Sequence, residues 1–365
     1  MPAPTFTVTI APCPLSADLE QTWCELLDRS DASAFLSWPW IGALLDLAGH
    51  NQFRLATIAG PNGIAGLALL GGNDRSFHLN ENADRLSDGV MIEYNGVLAE
   101  RGHEKEAASA LLAALARPGA PLWRELILPG VPTDWERMGA VGGFAARALR
   151  PLQPAPFADL DALDAGDPLT SLSRNSREQV RRSMRHFEEM GPLSLDRARD
   201  LAQALDWFGA LEAFHTRSWR ARGKPGAFQL AGFGQFHRAL IARGTAEGAV
   251  DLLRLSAGDA AIGYLYNLRR GGTAYAYQSG FAEGSDPRWR PGLVAHAMAM
   301  IRYQREGMSR YKFLAGEARY KRSLSNGCDQ LAWLEMRRRG GGHFLVHLIG
   351  RLERKALQRL RKRTP

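Results

Sequence analysis

Cysteine is scarce. Cys13, Cys24 and Cys328 are scattered over 365 positions with no paired spacing, which argues against a disulfide framework or a cysteine-based zinc site and fits a reducing compartment. His343 and His347 stand four apart, but no glutamate follows His343 to complete a zinc helix. No stretch reaches the ~20 apolar residues of a membrane-spanning helix. The first residues, Met1 to Val8, have neither the basic head nor the apolar run of a secretory signal. A Walker loop and a Gly-x-Ser-x-Gly elbow are both missing. Basic charge is also missing from most of the chain. The net charge is +8, yet residues 337–365 carry ten Lys and Arg against Glu353 alone, which leaves the rest at −1.

What is present is an ordered α/β pattern in a chain long enough for two domains. Its centre is 249–321. Short apolar runs at 249–255 and 261–266 are separated by the Gly258-Asp259 turn, and 273–279 alternates so that Tyr275, Tyr277 and Ser279 share a face. A loop ending Arg288-Trp289-Arg290-Pro291-Gly292 follows. The period then changes: Leu293, Ala297, Met300 and Ile301 form one side of a helix that Gly307 closes. Tyr311 to Leu314 is a last strand. A strand passing through a glycine turn into a helix leaves free amide hydrogens at the positive end of the helix dipole, which suits a pyrophosphate. Arg288 and Arg290 add cations there.

The same order of elements is expected earlier. Strands at 53–59, 64–70 and 75–79, a helix at 105–116 and a strand at 125–128 repeat the central unit, with Gly66 answering Gly263. The fold is therefore read as α/β with a mixed α+β sheet, made of two copies at 1–150 and 169–340. The proline-rich segment 151–168 is read as their linker. Ser173 caps a helix to about Met190, whose Arg174, Arg177, Arg181 and Arg185 form a cationic stripe. That stripe is either a grip on an anionic substrate or an ordinary solvated face. A helix at 200–220 ends with His215 and Trp219, before the Arg222-Gly223-Lys224-Pro225-Gly226 loop.

Several of these tracts resemble the GNAT acyltransferase superfamily, and most of all its CelD-like (BioF2-like) bacterial branch, which is similar to the Fem peptidyltransferases. The matching residues are Arg290 to Leu293, Tyr311 to Glu317 with Tyr320-Lys321, Ser173 to Arg182, and Phe214-His215 to Trp219. The resemblance covers about 165–336. It implies two tandem GNAT-like domains, the first degenerate and non-catalytic, and an N-acyltransferase using acetyl-CoA or another acyl-CoA as co-substrate. It also implies that a backbone amide around Tyr277 and Ser279 meets the thioester carbonyl, with Arg288, Arg290, Gly292 and Leu293 at the cofactor phosphates. Glu317 would be the base, Tyr320 the acid for the leaving thiolate, and Lys321 a stabilising cation; Arg181, His215 and Trp219 would hold the acceptor.

Two further functions stay open: a Fem-type transferase taking aminoacyl-tRNA, the one role that would involve nucleic acid, and a non-catalytic binding module. The acceptor is expected to be a small-molecule amine or sugar, with polysaccharide biosynthesis as the setting. Leu345, Leu348, Ile349, Leu352 and Leu360 give 341–365 an apolar stripe opposite its basic residues. A basic amphipathic helix of this kind suits an anionic membrane surface, so the protein is expected to be cytoplasmic, with possible peripheral attachment to the inner membrane.

Overall fold

The computed structural model of the chain describes residues 5–73, 76–83, 91–117 and 125–338; the helix expected at 341–365 lies outside them. The first copy comprises β1 (Thr7–Pro12), α1 (Ser16–Asp28), α2 (Trp38–Ala48), β2 (Phe53–Gly60), β3 (Gly63–Gly72), β4 (Ser76–Leu79), β5 (Leu98–Ala99), α3 (Glu104–Ala116), β6 (Glu125–Pro132), α4 (Asp134–Val141) and β7 (Phe144–Ala148). Then comes β8 (Gln153–Asp159). The second copy comprises α5 (Arg174–Glu188), β9 (Leu193–Arg197), α6 (Leu201–Ala221), α7 (Phe233–Gly244), β10 (Val250–Ala257), β11 (Ala260–Arg270), β12 (Thr273–Phe281), α8 (Pro291–Arg305), β13 (Arg310–Lys312), α9 (Arg319–Leu324) and β14 (Gly327–Arg338).

Local sequence explains most boundaries. Ser173 Oγ accepts from the Ser176 amide at the start of α5, and Asp200 accepts from Gln203 at the start of α6; each satisfies a helix-end donor that would otherwise lack a partner. Gly307, at φ 75°, ends α8 in the left-handed conformation that favours glycine.

The copies do not stand apart. All described strands join one mixed sheet in the order β1-β2-β3-β4-β6-β14-β8-β13-β12-β11-β10-β9, with β5 beside β3 and β7 beside β14. β4 runs parallel to β6 in the first copy, as β12 does to β13 in the second. At the centre the copies exchange strands. β8 pairs with both β13 and β14, while β14 also pairs with β6 and β7. The segment read as a linker therefore contains a central strand. Its prolines fit because β8 presents Pro154 and Pro156 as acceptors: their carbonyls take the amides of Gly316 and Phe313.

Three apolar cores fill the layers. One lies under α3 and α4, and another under α5, α8 and α9. The third is shared, with Trp23, Phe35 and Trp40 of the first copy packed against Phe208, Phe236, Tyr266 and Tyr277 of the second. Aromatic rings this large dominate the apolar area removed from water, so each copy supplies part of the other's interior.

Candidate active site

β12 and β13 pair only from Thr273 to Tyr275, against Arg310 to Lys312. Beyond Tyr275, β12 runs on to Phe281 while the chain after β13 turns toward α9. The two diverge around a cleft of about 1010 Å³, walled by the end of β12, the start of α8, α9 and the last turns of α6.

The floor of the cleft is the N-terminus of α8. Arg290 is its cap and Pro291 its first residue. The Val294 amide donates to Arg290 O at 3.2 Å, which leaves the amides of Gly292 and Leu293, both in the cleft wall, at the positive end of the helix. The first turn holds no acidic residue. Arg290 lines the cleft, its guanidinium held by Pro287 O at 3.2 Å and Gln179 Oε1 at 3.1 Å, with no carboxylate against it among the described residues. The preceding loop is rigid: the Ser183 hydroxyl donates to Arg288 O at 2.7 Å and accepts from the Arg290 amide at 3.3 Å, and Trp289 Nε1 donates to Ala282 O at 2.8 Å.

Four rings complete the site. Tyr320 is half-buried on α9, its phenol pushed up to about 12 by burial. It stacks on His296 with centroids 5.0 Å apart and planes at 11°. His296 is buried, its Nδ1 lies 2.7 Å from the Tyr311 hydroxyl, and its Nε2 has no partner among the described residues. Burial, with Lys321 adding to it, pulls the imidazole down to about 3. Across the cleft His215 stacks on Trp219 at 5.6 Å, and its buried Nδ1 is also unpaired. Burial and then Arg222 lower its pKa to about 4. Both imidazoles are thus neutral near pH 7.

Of the residues expected here, Ser279, Arg290, Gly292, Leu293, His215, Trp219 and Tyr320 line this one cleft. The others do not, for identifiable reasons. Tyr277 is the extra residue of a β-bulge: Asn267 pairs with Ala276 and Tyr266 with Gln278. The bulge interrupts the alternation, and Tyr277 packs in the shared core beside Trp40 and His237. The Ser279 amide is occupied by Gln278 Oε1 at 3.1 Å. Arg288 turns back on Asp286 at 2.8 Å and reaches Glu189 at 3.3 Å. Arg181 is exposed and paired with Asp167, as Arg174 is with Glu178, so two of the four arginines of the α5 stripe are ion-paired on the surface. Glu317 is exposed and outside the cleft wall.

Lys321 points away from the cleft. It donates to Leu314 O at 3.2 Å and Ala315 O at 2.7 Å. Burial lowers its pKa, and Glu93 of the first copy opposes that. Glu93 Oε2 in turn accepts the Ala315 amide at 2.7 Å. Together they hold the turn at Leu314, whose φ of 63° is costly for a branched residue. His296 was not singled out from the sequence, although its position four residues after Gly292 puts both on one helical face.

Residues 174–322 match the family profile described as an acetyltransferase (GNAT) domain. No curated protein matches the chain in sequence. Among solved structures, FemX is similar in fold, with a TM-score of 0.60 at 13% identity over 90% of this chain and 98% of that one. L-PGS from Bacillus licheniformis superposes with a TM-score of 0.54 at 11% identity, over 94% of this chain and 98% of its own. Residues 174–322 thus resemble a GNAT acetyltransferase domain, within a whole-chain fold similar to that of FemX.

Proposed function

We propose that the protein is an N-acyltransferase that takes its acyl group from acyl-CoA. One observation carries this reading: the unpartnered amides of Gly292 and Leu293, the cation of Arg290 and the phenol of Tyr320 all face a single cleft. The amides and Arg290 receive the donor's pyrophosphate. The acceptor enters from the α6 side, where Trp219 offers an apolar platform suited to a sugar or other small amine, with His215 stacked behind it. The amine nitrogen attacks the thioester carbon, the C–S bond breaks, and the amine's proton leaves to solvent. Tyr320, held protonated by its burial, gives its hydrogen to the departing sulfur and takes one back from solvent. The main contribution of the site is positioning in a fixed electrostatic frame.

Titration calorimetry with acetyl-CoA tests this. Binding at one site in the micromolar range is expected, and no heat at millimolar ligand would overturn the reading. A second reading, transfer from aminoacyl-tRNA, is favoured by the whole-chain likeness to FemX and by Arg222, Arg290 and Arg319 along the cleft, none of them paired with a carboxylate among the described residues. Binding of aminoacyl-tRNA without binding of acetyl-CoA would select it. A peripheral role at an anionic membrane through 341–365 is tested separately: deleting these residues should abolish low-salt binding to phosphatidylglycerol vesicles.

A further inference from the structure

A buried hydrogen-bonded cluster runs through the second copy. It begins at Asp251 on β10, 2% exposed, with Arg197 Nη2 at 3.0 Å and Arg269 Nη1 at 3.5 Å. A carboxylate between two guanidinium groups accepts hydrogen bonds and donates none. Tyr303 Oη of α8 donates to it at 2.9 Å. A phenol has one hydrogen, so toward Asn267 this oxygen can only accept, and Asn267 Nδ2 lies 3.0 Å away. That fixes the amide with its nitrogen toward the tyrosine and its Oδ1 without a partner. Burial raises the pKa of the Tyr311 phenol and keeps it protonated.

Tyr311 therefore has its own hydrogen to give, and His296 Nδ1 is 2.7 Å away. A neutral imidazole that accepts at Nδ1 carries its hydrogen on Nε2. That nitrogen is buried, has no protein partner, and belongs to a residue 2% exposed in the cleft wall, stacked on Tyr320. A buried donor without a partner is costly to maintain, and an acceptor on the substrate would satisfy it.

We propose that His296 is a catalytic residue of this domain, donating a hydrogen bond from Nε2–H to the thioester of the acyl donor, where negative charge gathers as the acceptor amine attacks. This rests on the acyl-CoA reading above. No bond forms to the histidine. The nitrogen–carbon bond is made, the carbon–sulfur bond is broken, and His296 keeps its hydrogen throughout. With its pKa pulled down to about 3, the ring stays neutral and acts as a fixed donor rather than an acid. The Tyr311 hydroxyl is what sets its tautomer, so Tyr311 is a positioning residue.

Two variants at His296 and one at Tyr311 test this, with folding checked by circular dichroism and acetyl-CoA affinity by calorimetry. His296→Leu removes the donor and should lower kcat about 100-fold, the scale for losing one preorganised donor, while the Kd for acetyl-CoA stays within about threefold. His296→Gln returns an N–H near the same place and should recover at least a tenth of wild-type kcat. Tyr311→Phe, outside the cleft wall, should lower kcat about tenfold. It should also convert the His296 nitrogen-15 signals from the single Nε2–H tautomer to a mixture, a change that loss of packing alone would not produce. Wild-type spectra showing hydrogen on Nδ1 would overturn the proposal, as would a folded His296→Leu protein with undiminished kcat. If the wild type neither binds nor uses acetyl-CoA, the acyl-CoA reading and this role fall together; wild-type turnover with an unaffected His296→Leu protein removes this role alone.

Discussion

The two copies place a helix at the same point of the same fold, and only one of those helices opens onto a site. α8 begins with Arg290 and Pro291 and has no acid in its first turn. α3 begins with Glu104 and Glu106, and the Glu104 carboxylate already takes the Gly102 amide at 3.1 Å. Negative side chains at a helix N-terminus stabilise the helix and repel a phosphate. The strands differ as well. β12 spans nine residues and outruns its parallel partner, whereas β4 spans four, three of them paired with β6. The first copy thus differs from the second in the charge at its helix start and in the length of this strand. It still serves the second copy through the pairing of β6 and β7 with β14, the shared core and Glu93.

The largest break in this comparison is expected at a backbone contact. A Cβ at Gly280 would lie 2.3 Å from Leu211 O and 3.0 Å from the His215 amide nitrogen, because β12 and α6 touch there. Gly280→Ala should cost about 3 kcal/mol of stability, as overpacking does, and move His215 from the cleft. In the first copy, Gly102, at φ 83°, has nothing within 4 Å of an added Cβ, so Gly102→Ala carries only the backbone cost of about 1 kcal/mol. Urea denaturation of the two variants measures the difference; equal losses would mean that the α6–β12 contact is not under tension.

Next comes the dependence of one copy on the other. Glu93→Gln keeps an oxygen for the Ala315 amide but removes the charge facing Lys321. A loss of about 2 kcal/mol is expected, within the range for a hydrogen bond to a charged group. It should bring a fall in kcat, since the turn at Leu314 leads into the helix that carries Tyr320. A variant of wild-type stability and kcat would show that the first copy merely packs against the second. Smaller again is Arg290→Glu, which gives α8 the acidic start of α3. The Kd for acetyl-CoA should rise about tenfold, equivalent to about 1.4 kcal/mol, with stability little changed.

Much of the second copy was legible in the sequence, because its signals are local. The change from alternation in β12 to helical spacing in α8 placed the glycine turn, and the same neighbourhood brought Arg290, Gly292, Leu293 and Tyr320 together. What escaped depended on partners distant in sequence or on small irregularities. One extra residue in β12 sent Tyr277 into the core. Asp286 and Glu189 took Arg288, and Asp167 took Arg181. Lys321 was drawn to the carbonyls of Leu314 and Ala315 by a turn that Glu93, far away in the chain, completes. The strand exchange of β8 and β14 is set by pairing across more than 150 residues, so its prolines suggested a linker.

The smallest expected effect is the sharpest test of the comparison. Replacing Glu104 and Glu106 together with Gln removes the negative charge from the start of α3 and makes its helix end electrically more like that of α8. If charge alone decided which copy binds, a second acetyl-CoA site should appear. The shorter β4, paired with β6 through Ser76, Phe77 and His78, leaves less strand for the rest of the ligand to lie against, so no second site is expected. Helix-end electrostatics is worth only about 0.3–1 kcal/mol at an exposed site, far short of what ordering a free ligand costs. Calorimetry of the double variant should therefore give one site per chain with an unchanged Kd. Two sites would show that the acidic residues, and not the short strand, silenced the first copy.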